Sequence, residues 1–232
     1  MINEAIILAG GLGTRLRSAV PDLPKSMAPV AGKPFISYVI KYYQRQGIEK
    51  FIFSLGYKHE LIEQFLHKEF NTLSYSVIVE PEPIGTGGAI YQGCLNATTY
   101  QVLILNGDTF FETDIRSLSL FHEKNNADCT LCLKEMTNTD RYGVVEMSDD
   151  GRIISFKEKN FYERSVINGG VYALNVSSLI NEKMPQKFSF EKDFFEKYYM
   201  HKKIYGLKQN GYFIDIGIPD DFERAQTDFK YM

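Results

Sequence analysis

The sequence predicts an α/β fold built on a doubly wound, mostly parallel mixed sheet, with a smaller β-rich lobe added to it. The first half of the 232 residues alternates short apolar runs with amphipathic, helix-like segments separated by glycine or proline. After about residue 127, tight turns join strand-like segments instead. Because no Pro/Gly/Ser-rich linker divides the halves, we expect one domain, 1–232, with lobes at about 1–126 and 127–232.

The first lobe is predicted to contain buried strands and the helices that connect them. The run "EAIILA" is short, branched and apolar, which is typical of a strand buried on both faces. The predicted strands are Glu4–Ala9, Lys50–Leu55, Tyr75–Glu80 and Gln101–Asp108. The predicted helices lie between Pro34 and Gly47, over Glu60–Phe70, and from Thr86 in "TGGAIYQGCLN". Such alternation requires right-handed crossovers between parallel strands.

The second lobe is predicted to be rich in strands joined by hairpins. The segments "ADCTLCLKEM", "RYGVVEMSDDGRIISFKEKN" and "INGGVYALN" have strand composition, and "DDG" in the second is a hairpin signal. We expect these strands to extend or flank the first sheet. A helix in "SFEKDFFEKYYM" and a late strand and loop in "GYFIDIGIPDDF" complete the prediction.

Composition narrows the classes of partner and compartment. The formal charge of -3 and the lack of a Lys/Arg-rich tract argue against nucleic acid as a partner. No apolar run is long enough for a membrane span, so we expect no membrane partner and a cytoplasmic location. Cys129 and Cys132 have C-x-x-C spacing, but residues three apart on a strand face opposite sides, so we expect buried packing rather than zinc or redox chemistry.

A glycine-rich loop follows the first predicted strand, at the sheet edge where ligands bind in such folds. Glycines there let backbone N–H groups approach an anion such as phosphate. A dinucleotide fingerprint is incomplete, because Gly11 and Gly13 are followed by Leu16 at the third glycine position. A P-loop is excluded. With Gly32 and Lys33 in register, the motif requires glycine where Met27 stands and serine or threonine where Pro34 stands.

Two cations accompany this loop. Arg15 lies within it and Lys25 lies ten positions further on, so both are available to a polyanion longer than one phosphate. The alternative from the residues alone is an ordinary strand-to-helix turn with solvated charges.

Seven segments carry a family resemblance, and they occur in a fixed order: "LAGGLGTRL", "PKSMAPVAGKP", "EPIGTGGA", "LNGD", "FKEKN", "INGGVY" and "FIDIGIP". Together they resemble the sugar-1-phosphate nucleotidyltransferases, enzymes that join a nucleoside triphosphate to a sugar phosphate and release pyrophosphate. The segments "DRYGVV", "KFSFEKDF" and "YFIDIGIPDDF" are most similar to the branch that guanylylates D-glycero-α-D-manno-heptose 1-phosphate. The resemblance implies a Rossmann-like, GT-A-like fold, Mg²⁺ as cofactor, GTP and a sugar 1-phosphate as substrates, and a role in surface polysaccharide biosynthesis (capsule, LPS or S-layer glycan).

The resemblance also implies roles for individual residues. Arg15 and Lys25 would be catalytic, and Asp108 and Asp215 would hold the metal. The implied nucleotide-binding residues are Leu8, Gly10, Gly11, Gly13, Thr14, Glu80, Gly85, Gly87, Gly88 and Asp108. The implied sugar-phosphate-binding residues are Asn106, Gly143, Glu158, Lys159, Asn168 and Gly169. Ser26, Asn160 and Ile218 depart from the commoner family choices.

The reaction needs charge neutralisation more than a base. The second pKa of a sugar phosphate lies near 6, so its oxygen is already an anionic nucleophile at neutral pH. The four histidines show no metal-binding or catalytic spacing, and we expect surface or helix-face positions for them: His59, His67, His122 and His201. Two polyanions must nevertheless meet, and cations together with Mg²⁺ would offset their repulsion.

Several alternatives stay open from the sequence. A carboxylate at Glu80 would suit the N1–H and N2–H₂ donors of guanine, but Glu80 could instead end its strand in solvent. Within the family, a mannose-1-phosphate guanylyltransferase or a glucose-1-phosphate uridylyl- or thymidylyltransferase is the alternative. Outside it, the alternatives are a non-catalytic nucleotide-sensing regulatory subunit and a dehydrogenase. The sugar and the oligomeric state are not fixed, and a homodimer is one candidate assembly.

Overall fold

The computed structural model describes residues 1–11, 16 and 20–232. The strands are β1 (Glu4–Ala9), β2 (Pro29–Val30), β3 (Lys33–Pro34), β4 (Lys50–Leu55), β5 (Ser74–Val79), β6 (Gln101–Asn106), β7 (Thr109–Phe111), β8 (Cys129–Thr139), β9 (Val144–Met147), β10 (Ile153–Lys157), β11 (Tyr162–Asn175), β12 (Ile204–Lys208) and β13 (Phe213–Asp215). The α-helices are α1 (Phe35–Arg45), α2 (His59–Glu69), α3 (Gly85–Asn96), α4 (Ile115–Lys124), α5 (Val176–Ile180), α6 (Glu196–Tyr198) and α7 (Pro219–Asp228). Short 3₁₀ turns cover Lys25–Met27 and Phe229–Tyr231, and a π-helical turn covers Phe190–Phe195.

One large mixed sheet forms the centre of the molecule. Its strand order is β10-β9-β11-β6-β1-β4-β5, and β8 pairs with both β11 and β12. The four strands β6, β1, β4 and β5 are mutually parallel, whereas β11 joins them antiparallel to β6. The later strands therefore extend the first sheet, as predicted, and the α/β fold class is confirmed.

Apolar side chains cover both faces of this sheet. Along β1, Ile7 belongs to the core on one face and Ile6 to the core on the other. Cys132 and Cys129 are divided between the two cores in the same way, as their spacing on a strand predicts. Both thiols are free and buried, and burial raises the pKa of Cys129 well above its usual range, so these cysteines serve packing.

The strands and helices predicted in the first lobe lie within one or two residues of their observed bounds, whereas β2, β3, β7 and α4 were not predicted. β5 ends at Val79, so Glu80 is the first residue beyond it, and β6 ends at Asn106 rather than Asp108. The predicted helix in "SFEKDFFEKYYM" is instead the π-helical turn Phe190–Phe195 followed by the short helix α6. Among the described helices, none combines the length and apolar character needed to cross a membrane.

The carboxyl ends of the parallel strands bring separate loops together. The backbone N–H of Gly107, after β6, donates to the carbonyl of Leu8 in β1 at 2.9 Å. The N–H of Glu80, after β5, donates to the carbonyl of Leu55 in β4 at 2.8 Å. These bonds hold the residues that follow β5 and β6 against the ends of β4 and β1, at the edge of the sheet where a ligand is expected in this class of fold.

Candidate active site

A cavity of about 350 Å³ opens at the carboxyl ends of β1 and β6. The predicted nucleotide-binding residues that line it are Leu8, Gly10, Gly11, Glu80, Gly85 and Asp108. The predicted catalytic residue Lys25 lines it as well, from the 3₁₀ turn after the glycine loop. Three further predicted residues, Gly13, Thr14 and Arg15, lie outside the described residues.

A second cavity, of about 530 Å³, lies beside the first. All the predicted sugar-phosphate-binding residues line it: Asn106, Gly143, Glu158, Lys159, Asn168 and Gly169. Asn168 is held in place, because its Nδ2 donates to the Tyr172 hydroxyl at 2.8 Å and its Oδ1 accepts from the Gly170 N–H at 3.0 Å. Asn106 lines both cavities, so the two spaces meet at the end of β6.

Lys25 and Asp108 form an ion pair at this junction. The Lys25 Nζ lies 2.9 Å from Asp108 Oδ2, and both side chains are partly buried. Asp108 is thereby fixed at the rim of the first cavity, beside the glycines that follow β1.

Asp215 approaches the same ion pair from a different part of the chain. β13 runs antiparallel to β7 and places Asp215 opposite Thr109, next to Asp108. Asp215 Oδ1 accepts from the Gly217 N–H at 2.8 Å. A Cβ on Gly217 would lie 2.8 Å from Asp215 Oδ1 and would overlap the Lys25 ammonium. The glycine therefore lets Lys25 approach both aspartates.

This arrangement fits a small divalent cation. Two carboxylates from separate parts of the chain lie near one positively charged group, the Lys25 ammonium. Mg²⁺ is usually held by one or two carboxylates together with substrate phosphates and water. Within the described residues no group of three or more His, Cys, Asp or Glu side chains is placed to bind a metal.

Glu80 is held at the wall of the first cavity rather than extended into solvent. Its Oε1 accepts from the Ser54 hydroxyl at 2.8 Å, and its Oε2 lies 3.4 Å from the Ile84 N–H. The carboxylate also packs against Gly10, where a Cβ would come within 2.7 Å of Oε1. Because Gly10 has no side chain, the Glu80 carboxylate can occupy the space beside it.

Comparison with known proteins identifies the family of this chain. The model of the nucleotidyl transferase family matches residues 4–231. The chain belongs to the nucleotidyl transferase family. It is 48% identical over 228 residues to D-glycero-alpha-D-manno-heptose 1-phosphate guanylyltransferase from Aneurinibacillus thermoaerophilus, covering 98% of this chain and 99% of the relative. The enzyme of the same name from Campylobacter jejuni is 41% identical over 219 residues, covering 94% and 96%.

The fold of this chain is also similar to that of a solved structure. The crystal structure of HddC from Yersinia pseudotuberculosis complexed with GMP-PN is 35% identical and has a TM-score of 0.88. The superposition covers 99% of this nucleotidyltransferase and 100% of that chain.

Two predicted nucleotide-binding glycines of this nucleotidyltransferase lie away from the cavity lining. Gly87 and Gly88 are buried at the start of α3, where the Phe188 ring and the Gln186 carbonyl occupy the space that their side chains would fill. The Gly87 N–H donates to the Phe188 carbonyl at 3.0 Å. The family resemblance implies nucleotide binding for these two glycines. In the structure they admit residues 186–188, whose position the sequence did not indicate.

The second cavity also contains residues that the sequence analysis missed. Ser189, Lys192 and Glu196 line it from the π-helical turn and α6. Thr86 connects this turn to the first cavity, because its hydroxyl donates to Glu191 Oε2 at 2.9 Å and accepts from the Phe190 N–H at 2.9 Å. The charges in "SFEKDFFEK" have the pattern of an ordinary amphipathic helix, so no spacing signal distinguishes them.

Proposed function

We propose that this nucleotidyltransferase transfers GMP from GTP to D-glycero-α-D-manno-heptose 1-phosphate and releases pyrophosphate. The observation that carries the proposal is the junction of two cavities at Asn106, beside the ion pair of Lys25 and Asp108. One cavity would take the triphosphate nucleotide and the other the sugar phosphate. The reacting oxygen and phosphorus would then meet beside Lys25.

The nucleophile in this reaction is supplied by the substrate. The phosphate oxygen of the sugar 1-phosphate attacks the α-phosphorus of GTP, and the bond from that phosphorus to the pyrophosphate oxygen breaks. Because the sugar phosphate is largely dianionic at neutral pH, no side chain has to remove a proton. The absence of histidine from the described linings of both cavities is consistent with this chemistry.

Positive charge is the contribution we assign to the protein. Lys25 would leave Asp108 for the α-phosphate, whose negative charge increases in the transition state. Backbone N–H groups at Gly10 and Gly11 would bind the triphosphate. We propose that Arg15 holds the departing pyrophosphate, on the strength of its place in the family motif. Lys159, at the rim of the second cavity, would pair with the phosphate of the sugar.

We further propose that Mg²⁺ binds between Asp108 and Asp215. A divalent cation there supplies charge stabilisation to phosphate oxygens and orients them. The two carboxylates are the hard oxygen ligands that Mg²⁺ prefers. Their approach to one another through the pairing of β13 with β7 supports this assignment.

The base and the sugar are proposed from the relatives and from one side chain. The two relatives described above are heptose 1-phosphate guanylyltransferases, and they match along nearly the whole chain. Glu80 offers a carboxylate at the wall of the first cavity, and only guanine among the common bases presents two adjacent N–H donors to it.

The test is a pyrophosphate-release assay in which nucleotides and sugar phosphates are varied independently. GTP, ATP, CTP, UTP and dTTP would each be combined with heptose, mannose and glucose 1-phosphates in the presence of Mg²⁺. We expect GTP with the heptose phosphate to give the highest kcat/KM. Comparable turnover with UTP or dTTP would contradict the base, and a preference for mannose 1-phosphate would contradict the sugar alone. Nucleotide binding without any turnover would instead support a regulatory subunit.

A further inference from the structure

Ser54 is an unusual residue for its position in the fold. It lies in β4, between the parallel strands β1 and β5, and its side chain is fully buried. Strands buried on both faces are normally close to continuously apolar, and the other buried residues of β4 follow that rule: Phe51, Ile52, Phe53 and Leu55. A buried hydroxyl in such a strand needs a hydrogen-bond partner.

The partner of Ser54 is the carboxylate of Glu80. The Ser54 hydroxyl donates to Glu80 Oε1 at 2.8 Å. In the strand register Ser54 is aligned with Leu8 on β1, and Leu8 is aligned with Asn106 on β6. Leu8 and Asn106 both line the first cavity. Ser54 is therefore aligned, across the sheet, with two residues of the cavity wall.

The orientation of the Glu80 carboxylate is constrained from three sides. Ser54 binds Oε1, the Ile84 N–H faces Oε2 at 3.4 Å, and Gly10 leaves room for Oε1 but not for a side chain of its own. Each carboxylate oxygen can accept more than one hydrogen bond. Both oxygens therefore keep acceptor capacity for a ligand in the cavity.

We propose that Ser54 is a positioning residue for base selection, which holds Glu80 so that both carboxylate oxygens accept from the N1–H and N2–H₂ groups of guanine. This inference rests on the proposed function, because it assigns the guanine-reading group of the same site. A bidentate contact requires both oxygens to lie in the plane of the base edge. The hydrogen bond from Ser54 fixes the rotation of the carboxylate that this alignment requires.

Inosine triphosphate is the probe that isolates the second hydrogen bond. Hypoxanthine keeps the N1–H of guanine and lacks its N2 amino group, so the ratio of kcat/KM for GTP and ITP measures the bond to N2. We expect a ratio on the order of tenfold for the wild-type enzyme, as for one hydrogen bond to a charged group.

The decisive variants are Ser54→Ala and Ser54→Cys. The first removes the hydroxyl, and the second keeps nearly the same volume but offers only a weak S–H donor. Ser76→Ala is the matched control, because Ser76 lies on the neighbouring strand β5, on the same face as Ser54, and its hydroxyl is buried without a hydrogen-bond partner in the described part of the chain. Thermal unfolding of each variant would establish that it is folded.

We expect both Ser54 variants to lower the GTP-to-ITP ratio to about twofold while kcat with GTP changes less than about threefold, and Ser76→Ala to keep the wild-type ratio. Unchanged ratios in folded Ser54 variants would overturn the inference, as would an equal fall in kcat with GTP and ITP at constant ratio, which indicates a purely structural role. If the wild-type enzyme itself prefers a nucleotide other than GTP, the proposed function fails first, so the two failures are distinguishable.

Discussion

Lys25 is the single side chain on which the proposed chemistry depends most. In the structure its ammonium neutralises Asp108 at 2.9 Å and lies close to Asp215. In the reaction we propose that the Lys25 ammonium contacts the α-phosphate instead. A group that stabilises charge mainly in the transition state affects kcat more than substrate binding.

Replacing Lys25 with methionine tests this role, because methionine keeps similar bulk without the charge. We expect kcat to fall by at least about 100-fold, the usual effect of removing a group that stabilises transition-state charge. The unfolding free energy should change by less than about 1 kcal/mol, because the ion pair remains partly open to solvent. Steady-state kinetics and urea unfolding would measure both quantities.

Lys33→Met is the control, since Lys33 is exposed and lies outside both cavities. It should retain wild-type kinetics. A Lys25→Met enzyme with nearly normal kcat would remove Lys25 from the mechanism.

Charged site residues were predictable from sequence, whereas the contacts that hold them were not. Asp108 and Asp215 stand out because carboxylates follow apolar runs and match ordered family motifs. Ser54 gives no such signal, because a serine within "KFIFSL" becomes meaningful only when Glu80 is seen against it. Interactions across distant segments depend on the sheet register, which a local pattern does not reveal.

At the scale of single elements, helix α4 carries a buried titratable group. His122 lies on a helix, one of the two positions that we expected, and the face that it occupies is buried. Its Nδ1 lies 2.8 Å from the Thr130 hydroxyl on β8, and its Nε2 has no hydrogen-bond partner among the described residues. Burial lowers the pKa of His122 to about 4, against the opposing effects of Asp128 and Glu123.

This lowered pKa makes stability depend on pH in a defined direction. In the unfolded chain His122 takes up a proton near pH 6.5, whereas in the folded protein it stays neutral to about pH 4. The unfolded state therefore binds more protons between these values, and stability falls as the pH falls through this window. The full contribution is about 3 kcal/mol, at 1.36 kcal/mol for each unit of pKa shift.

The variant His122→Asn tests this dependence. Asparagine offers an amide near the position of Nδ1 and does not titrate, so the loss of stability between pH 6.5 and 4 should shrink by up to about 3 kcal/mol. Urea unfolding at several pH values would measure it. His67→Asn on the exposed face of α2 is the matched control and should keep the wild-type dependence. Parallel curves for wild-type and His122→Asn protein would contradict the prediction.

The elements predicted from strong periodicity in the first lobe lie within two residues of their observed bounds, whereas helices α4, α5 and α7 were not predicted and one predicted helix has another form. The parallel strands are short apolar runs bounded by turns, so β1 and β4 have their predicted bounds. Residues Phe190–Phe195 have helical spacing, yet they form a π-helical turn. There Phe190, Phe194 and Phe195 are all packed into the core beside Tyr172. Packing of these rings against β11 is a tertiary effect that outweighs local preference.

At the scale of the whole molecule, the sheet brings two lobes of different character to a single point. The parallel strands of the first lobe end at the first cavity, and the antiparallel strands of the second lobe build much of the second cavity. β13 then returns late in the chain to pair with β7, which brings Asp215 beside Asp108. The alternation of strand-like and helix-like segments predicted the parallel strands of the first lobe. The return of β13 was suggested only by the family resemblance, because long-range pairing leaves no local pattern.

The central claim is that nucleotidyl transfer takes place where the two cavities meet, with a divalent cation between Asp108 and Asp215. Anomalous diffraction from a crystal soaked with Mn²⁺, a GTP analogue that cannot be cleaved between its α- and β-phosphates, and the heptose 1-phosphate tests it directly, because Mn²⁺ takes the same oxygen ligands as Mg²⁺. We expect an anomalous peak bonded to both carboxylates, with the analogue in the first cavity and the sugar phosphate in the second. A manganese peak elsewhere, or an analogue bound away from the glycines that follow β1, would contradict it.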